Sequence, residues 1–346
     1  MDNSMRKPPR NRRKMQSVTM TDVAEFANVS PSTVSLFLRK PEAVSATASQ
    51  AISRAIEKLN YVPNLMAGGL AAASSRAVSI LVPSVRNAFF AETVSSMQAA
   101  LKKQRLQLIL GHTEYDEQEE EELVRMALSW APAAVVLTGL SHSPATRRLL
   151  ANVTIPVIEI WELGGSQIDT AIGFHHDQVG TAVAEHLIQQ GRRNLLFLGA
   201  RMHQDRRAKQ RCDGFLHAVE AAGANARVVE HPDTASAEIG SMLLAEALRL
   251  HPETDGIACS NDHIALGALF ACERLKVSVP DRLAVVGFGD LSFSSACNPP
   301  LTTVRPSGDL IGREAARLIE AHLHGEKSGG GHTIDTRFTL QHRRSS

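Results

Sequence analysis

Near the N-terminus, apolar residues recur at helical spacing in short bursts separated by polar, cap-forming residues. Met20, Val23, Ala24 and Ala27 fall at i, i+3, i+4 and i+7 and define one face. Thr19 is placed to cap this helix, with Asp22 as the reciprocal cap. Asn28 and Val29 then make a turn. Ser30 is a second N-cap, and Pro31 takes the first helical position, where its missing N–H costs nothing. The pattern predicts a second helix over 31–38, with Val34 and Leu38 facing inward. A third begins at Ser45, striped by Ile52, Ile56 and Leu59. Two helices joined so tightly bury little by themselves. They read as a helix-turn-helix whose second helix is offered to a DNA major groove.

From Ala77 the texture changes to short apolar runs alternating with amphipathic stretches. Strands are predicted at 78–82, 106–110, 134–137, 157–160, 195–198, 228–229, 256–259 and 283–288. Helices are predicted at 89–104, 117–128, near Thr146, and at 178–190, 210–221, 239–250 and 263–274. Such alternation implies parallel sheets with helices on both faces. About 270 residues is large for one sheet, so two α/β lobes are expected.

Composition narrows the class. A chain of 346 residues with 43% hydrophobic and 21% charged residues has ample core for two or three domains. No apolar run approaches the ~18 residues of a spanning helix, and the basic, polar start does not read as a secretory leader. Cys212, Cys259, Cys272 and Cys297 are widely spaced and read as reduced thiols, which points to the cytoplasm and away from a membrane. The net charge of +1 hides an asymmetry. Residues 1–16 carry six cations (Arg6, Lys7, Arg10, Arg12, Arg13, Lys14) against Asp2, residues 17–75 balance, and the remainder carries −4. The tail is either a solubilising extension or an arm that contacts DNA phosphates. Phosphate-loop, nucleophile-elbow and zinc-protease motifs are missing, and His175-His176-Asp177 has no converging third cluster. No cofactor, metal site or enzymatic activity is therefore expected.

Thr19-x-x-Asp-Val-Ala, Val29-Ser-x-x-Thr-Val-Ser, Val44-Ser and Leu59-Asn-Tyr-Val-Pro-Asn resemble the DNA-binding domain of the LacI/GalR family of transcription regulators. The resemblance extends to about residue 342. It implies an N-terminal all-α helix-turn-helix domain followed by a periplasmic-binding-protein-like α/β effector domain of two lobes. The expected domains are a basic tail at 1–16, a DNA-binding domain at 17–63, a hinge at 64–74 and an effector and dimerisation domain at 75–346. Lobe 1 is expected to take 75–174 and 306–324, and lobe 2 to take 175–304 and 330–343. Crossovers are expected near Phe174, 304–306 and 325–331. The implied DNA contacts are Thr19, Ser30, Pro31, Ser32, Thr33, Ser35, Leu36, Tyr61, Asn64 and Leu70. Family members often carry larger polar groups where Pro31, Ser32 and Leu36 stand, so the operator sequence is not legible. Leu70 matches the leucine that wedges into the minor groove. Gly68 and Gly69 before it each weaken a helix by roughly 1 kcal/mol, so the hinge is expected to order only on DNA.

Ligands of open α/β sheets bind at the carboxyl ends of the strands. Asn87, Phe89 and Phe90 follow the first strand, although the two phenylalanines read equally as lobe core. Glu159 and Trp161 end another strand, at the expected cleft lip. Asn261 and Asp262 follow the strand at 256–259. Asp290 follows Gly287-Phe-Gly; the family commonly has aspartate at the Gly289 position, so Asp290 either substitutes for it or caps a turn. Arg211-x-x-Gly214 matches the family's ligand-binding arginine. With Arg201, Arg206, Arg207 and Lys209 nearby, it suggests an anionic effector or else a solvated cationic face. Ser75-Arg-Ala-Val, Leu128-Ser-Trp, Ile155-Pro-Val-Ile-Glu, Ile168-Asp-x-Ala-Ile-Gly-Phe and Leu198-Gly-Ala-Arg201 are similar to the gluconate-operon repressors of the family. The reading is a homodimeric repressor on pseudo-palindromic double-stranded operator DNA, released by a sugar acid. The nearest rival is a family member answering another sugar or a nucleoside. A stand-alone solute-binding protein and an α/β enzyme fit less well, for want of a leader or a catalytic motif. Replacing Leu70 by alanine should lower operator affinity more than about tenfold in a gel-shift titration, the loss expected of a missing minor-groove wedge, and leave effector affinity unchanged.

Overall fold

A computed structural model describes residues 18–62, 76–85, 88–326 and 331–346. The tail, the hinge with Asn64, Gly68, Gly69 and Leu70, and Asn87 lie outside the described residues. The chain divides into two compact units, 1–71 and 72–346.

In the first unit, α1 (Met20–Ala27) carries the expected capping box: the Thr19 side chain accepts from the Asp22 N–H, and Asp22 accepts from the Thr19 N–H at 2.7 Å. Asn28 closes it at φ 52°, a left-handed turn that asparagine tolerates. Helix α2 (Pro31–Arg39) is capped by Ser30, and α3 (Ala46–Leu59) by Ser45. Val23, Ala24, Val34, Ile52 and Ala55 are fully buried. Met20, Leu38, Ile56, Leu59 and Tyr61 close around them.

The second unit holds two six-stranded sheets. Lobe 1 contains β1 (Ala77–Val82), β2 (Gln107–His112), β3 (Ala134–Thr138), β4 (Val157–Ile160), β5 (Thr170–Gly173) and β11 (Thr333–Asp335), in the order β11-β5-β4-β3-β1-β2. Lobe 2 contains β6 (Asn194–Ala200), β7 (Asn225–His231), β8 (Gly256–Cys259), β9 (Ala284–Phe288), β10 (Thr302–Pro306) and β12 (Phe338–Gln341), in the order β12-β10-β9-β8-β6-β7. Strands β1, β3, β8 and β9 are buried at every position, as strands covered on both faces must be. The helices are α4 (Phe89–Lys103), α5 (Glu117–Ser129), α6 (Pro144–Leu150), α7 (His176–Gln189), α8 (Arg206–Ala221), α9 (Ala237–Leu250), α10 (Asp262–Leu275) and α11 (Gly308–Leu323). No helix among the described residues is long and apolar enough to cross a membrane.

The chain passes between lobes at 174–175 and at Ser307, close to expectation. The third passage differs. The segment after the glycine run first adds β11 to lobe 1, and the crossing falls at 336–337 instead of 325–331. The segment 333–341 thus forms two short strands in different sheets. Strand β5, Thr170-Ala-Ile-Gly, is not among the expected strands, because it forms no continuous apolar run. The crossovers are tied together. Thr336 donates N–H and Oγ1 to the Gly173 carbonyl at 2.8 and 3.0 Å, and Ser307 donates to the Arg337 carbonyl at 3.4 Å.

Helices α7 and α8 pack almost backbone to backbone. A Cβ on Gly180 would lie 1.9 Å from the Arg211 carbonyl oxygen, and one on Gly214 2.0 Å from that of Asp177. Gly240 and Gly267 do the same for α9 against α10. A Gly180→Ala substitution would normally gain about 1 kcal/mol of helix propensity, but here two backbones must separate. The expected net result is a loss of about 1–3 kcal/mol in denaturant unfolding, the usual cost of overpacking. An unchanged midpoint would show that the helices slide apart freely.

Candidate DNA-reading face and inter-lobe cleft

On α2, Pro31 and Ser32 are exposed, while Thr33, Ser35 and Leu36 are half-buried. The Ser30 hydroxyl lies 2.7 Å from that of Ser32 and 2.8 Å from that of Thr33, and it caps the Thr33 N–H. The helix thus presents a cluster of hydroxyls, able to donate or accept, beside one apolar side chain. Thr19 is spent on its own capping box but keeps an exposed edge. Tyr61 packs on the small core, and its N–H closes α3 onto the Ile56 carbonyl.

Between the lobes, Arg211 of α8 is buried at 5% exposure. Its guanidinium stacks 3.9 Å from the centroid of Phe288, donates Nη2 to the Ser260 carbonyl at 2.8 Å, and meets His176 Nδ1 through Nη1 at 2.9 Å. Its Nε has no partner. Burial lowers the Arg211 pKa to about 10, with the Asp205 charge opposing and the Arg207 charge reinforcing. His176 is held well below its ordinary value by burial and by the Arg211 and Arg207 charges. It is therefore a neutral ring that accepts at Nδ1 and donates Nε2–H to the Trp161 carbonyl at 2.8 Å. Around this pair lie Phe89, Phe90, Trp161, Phe174 and Phe288, with ring centroids 4.5 to 6.3 Å apart.

Several expected positions change. Trp161 is not at a lip: it is 1% exposed, and its indole N–H donates to Thr93 Oγ1 at 3.1 Å. Glu159 is fully buried, accepts from the Ile168 N–H at 2.6 Å, and pairs with His142 at 3.3 Å. Phe90 is lobe core, whereas Phe89 is half-buried against Trp161 and Phe288. Asp262 is saturated by the Leu291 N–H, Ser294 and Thr303, so its carboxylate holds a loop together. Asp290 is turned to Arg343 at 2.7 Å and Arg305 at 3.7 Å, at φ 47°. It does not replace the acid missing at Gly289. Asn261 caps α10 through the Ile264 N–H. Glu159, Asp262 and Asn261 each satisfy a backbone N–H that the turn leaves unpaired, whereas Asp290 is held by arginine side chains.

The cation-rich segment divides. Arg206 and Arg201 reach across to Glu117 and Glu114 at 3.2 and 3.6 Å, exposed pairs of small energetic weight. Arg207, in contrast, is buried, with Nη1 3.4 Å from the Thr138 carbonyl and its fork 6.0 Å over Tyr115. Glu162, 4% exposed, accepts from Gln210 at 2.7 Å and from the Leu140 N–H at 3.2 Å. Arg206, Arg207, Tyr115, Thr138 and Glu162 line a cavity of about 60 Å³ together with Asp116, Glu117 and Glu120. Sequence reasoning missed His176, Glu162 and Phe288 as site residues. His176 looked like a helix cap, and only its place directly after a crossover hinted at more.

A family model described as "Bacterial regulatory proteins, lacI family" matches residues 19–64, and one for a periplasmic binding protein-like domain matches residues 184–346. The HTH-type transcriptional regulator GntR of Pseudomonas aeruginosa is 35% identical over 99% of this chain and 100% of its own. The chain belongs to the LacI family. The GntR regulator of Escherichia coli K12 is 32% identical over 94% of this chain and 98% of its own. A LacI-family regulator from Silicibacter pomeroyi superposes with a TM-score of 0.90 at 29% identity, over 95% of this chain and 99% of that one. These relatives are transcriptional regulators, in keeping with a DNA-binding domain joined to a two-lobe cleft.

Behind the cleft, His142 is enclosed between two carboxylates, with Nδ1 2.7 Å from Glu120 and Nε2 3.3 Å from Glu159. Burial opposes its charge, but hydrogen bonds to both acids outweigh it and raise its pKa to about 9. A raised folded pKa gives stability that is complete below the unfolded value and lost as pH rises through the folded one. Thermal stability should therefore fall between about pH 6.5 and pH 9, and His142→Gln should flatten that decline. An identical slope in both proteins would mean that His142 is not the titrating group.

Proposed function

We propose that this LacI-family repressor works in the cytoplasm as a homodimer on pseudo-palindromic operator DNA and responds to gluconate or a closely related sugar acid. The observation that carries the effector class is the buried, carboxylate-free Arg211 fork beside buried Arg207. A buried guanidinium with no carboxylate in ion-pair reach among the described residues favours an anion over a neutral sugar, whereas Arg207 is already paired with Asp205 at 3.9 Å. Phe89 and Phe288 offer apolar surface to a carbon chain, and Glu162, Gln210 and Asn261 offer acceptors and donors for hydroxyls. The cavity of about 60 Å³ holds only a few waters. A six-carbon acid therefore enters with the lobes parted or Arg207 displaced. Effector and operator then favour different lobe arrangements and weaken one another by the same factor. Exposed Met242, Phe270 and Leu275 on neighbouring helices α9 and α10, with Val228 on β7, supply an apolar face suited to a second copy of the chain. The hydroxyl-rich start of α2 is the DNA-reading edge, and Ser32 and Thr33 are its foremost base-contacting candidates.

Arg211→Ala should weaken gluconate binding by about 1.5–3 kcal/mol, the range for a charged hydrogen bond, while operator binding survives. Titration against the fluorescence of Trp161, 5.3 Å from Phe89, reports occupancy, with Trp161→Phe as the control. Saturable binding of galactose or a purine, but of neither gluconate nor 2-ketogluconate, would refute the anionic-effector reading and favour another sugar or a nucleoside.

A further inference from the structure

We propose that His176 is a positioning residue for Arg211 and the point at which the state of the cleft passes to lobe 1. The inference rests on reading Arg211 as an effector contact.

The bonds form one continuous buried chain. Arg211 Nη1 donates to His176 Nδ1 at 2.9 Å, and His176 Nε2 donates to the Trp161 carbonyl at 2.8 Å. The Trp161 indole donates to Thr93 Oγ1 at 3.1 Å, and Thr93 donates to the Gly308 carbonyl at 2.9 Å. Arg211, His176, Trp161 and Thr93 are all at most 5% exposed, so water cannot stand in for a lost partner. The chain also spans the hinge. His176 begins α7 immediately after the first crossover, Trp161 ends a lobe 1 strand, and Gly308 begins α11 immediately after the second crossover.

A ligand carboxylate is a stronger acceptor for Arg211 than a neutral imidazole. Accepting from the Nε–H, which has no partner among the described residues, it draws the guanidinium toward itself, so the Nη1–Nδ1 bond to His176 lengthens and the ring re-seats. Trp161 cannot follow by a small adjustment. It is held at φ 73°, an uncommon conformation for a bulky residue, so its peptide has few other settings. Thr93 transmits the shift to α11 because the two helices cannot slide independently there. A Cβ on Gly312 would lie 2.4 Å from the Thr93 carbonyl oxygen. The element biased by the cleft is thus the α4–α11 pair.

The test uses the full-length protein and an operator duplex, with gluconate as the probe ligand. Gluconate affinity is measured by calorimetry with and without DNA in wild type, Thr93→Val, His176→Leu and His176→Gln. In wild type the ratio of the two affinities should be about tenfold or more. Thr93→Val, which removes the relay hydroxyl but no effector contact, should leave DNA-free affinity within about threefold and reduce the ratio to below about threefold. His176→Leu should lose the ratio, and His176→Gln should restore it, because an amide accepts on oxygen and donates on nitrogen in the same sense. A merely structural role would lower the melting temperature and both affinities while preserving the ratio. Full coupling in Thr93→Val overturns the proposal. Failure of wild type to bind gluconate would sink the effector reading, and the relay is then decided without ligand. Hydrogen exchange over 89–97 and 308–313 should quicken in His176→Leu and stay at the wild-type rate in His176→Gln. Unchanged exchange in His176→Leu also overturns it.

Discussion

Burying the Arg211 guanidinium without a carboxylate is the constraint around which the effector domain is arranged. An uncompensated charge in a dry interior is costly. Here its compensation is a carbonyl from Ser260, the lone pair of a neutral His176 and the face of Phe288. Each requirement fixes another element. His176 must stay unprotonated, so its Nε2 proton is committed to the Trp161 carbonyl. Phe288 must end β9 at the right height, and Gly180 must let α7 lie against the Arg211 backbone. Nη1 and Nη2 each make one of these bonds, and the Nε–H has no partner among the described residues. A buried guanidinium with donors to spare suits a site meant for a further acceptor.

Backbone strain concentrates where the cleft opens. Outside helix ends, several non-glycine residues at positive φ directly follow strands: Glu114 and Tyr115 after β2, Trp161 after β4, Arg201 after β6 and Asp290 after β9. Ordinary turns would use glycine or asparagine at such positions. Arg201, Tyr115 and Trp161 instead place large side chains on the cleft side of their turns, and the surrounding ion pairs and ring contacts over-determine them.

The two lobes are joined by passages that are bonded to one another, and aromatic rings stand at two of them. Phe174 marks the first and Phe338 the third, with centroids 6.1 Å apart, and Phe288 lies 6.3 Å from Phe174. Gly173, Thr336, Ser307 and Arg337 tie these passages together by hydrogen bonds.

The sequence by itself determined the elements whose cause is local. The Thr19 and Asp22 capping box, the Ser30-Pro31 helix start, the 3.6-residue stripes and the buried apolar strands all follow from neighbours within a few residues. They were legible before any coordinates, as was Arg211 through its motif. The roles of the cleft residues were not local. Glu159, Asp262 and Asp290 looked like ligand contacts because each follows a strand, yet each is consumed by a partner far away in the chain: His142, Ser294 with Thr303, and Arg343. Trp161 looked exposed because it borders a loop, but Thr93 and the rings of Phe89, Phe90 and Phe174 enclose it. His176 looked like a cap until folding set it against Arg211, 35 residues on. Strand β5 and the passage at 336–337 were hidden because Thr170-Ala-Ile-Gly and Thr333-Ile-Asp form no continuous apolar run, and such strands gain their identity only from the strand each pairs with. Local spacing decides what an element is, whereas the assignment of buried polar groups depends on which donors and acceptors the tertiary fold brings within hydrogen-bond reach.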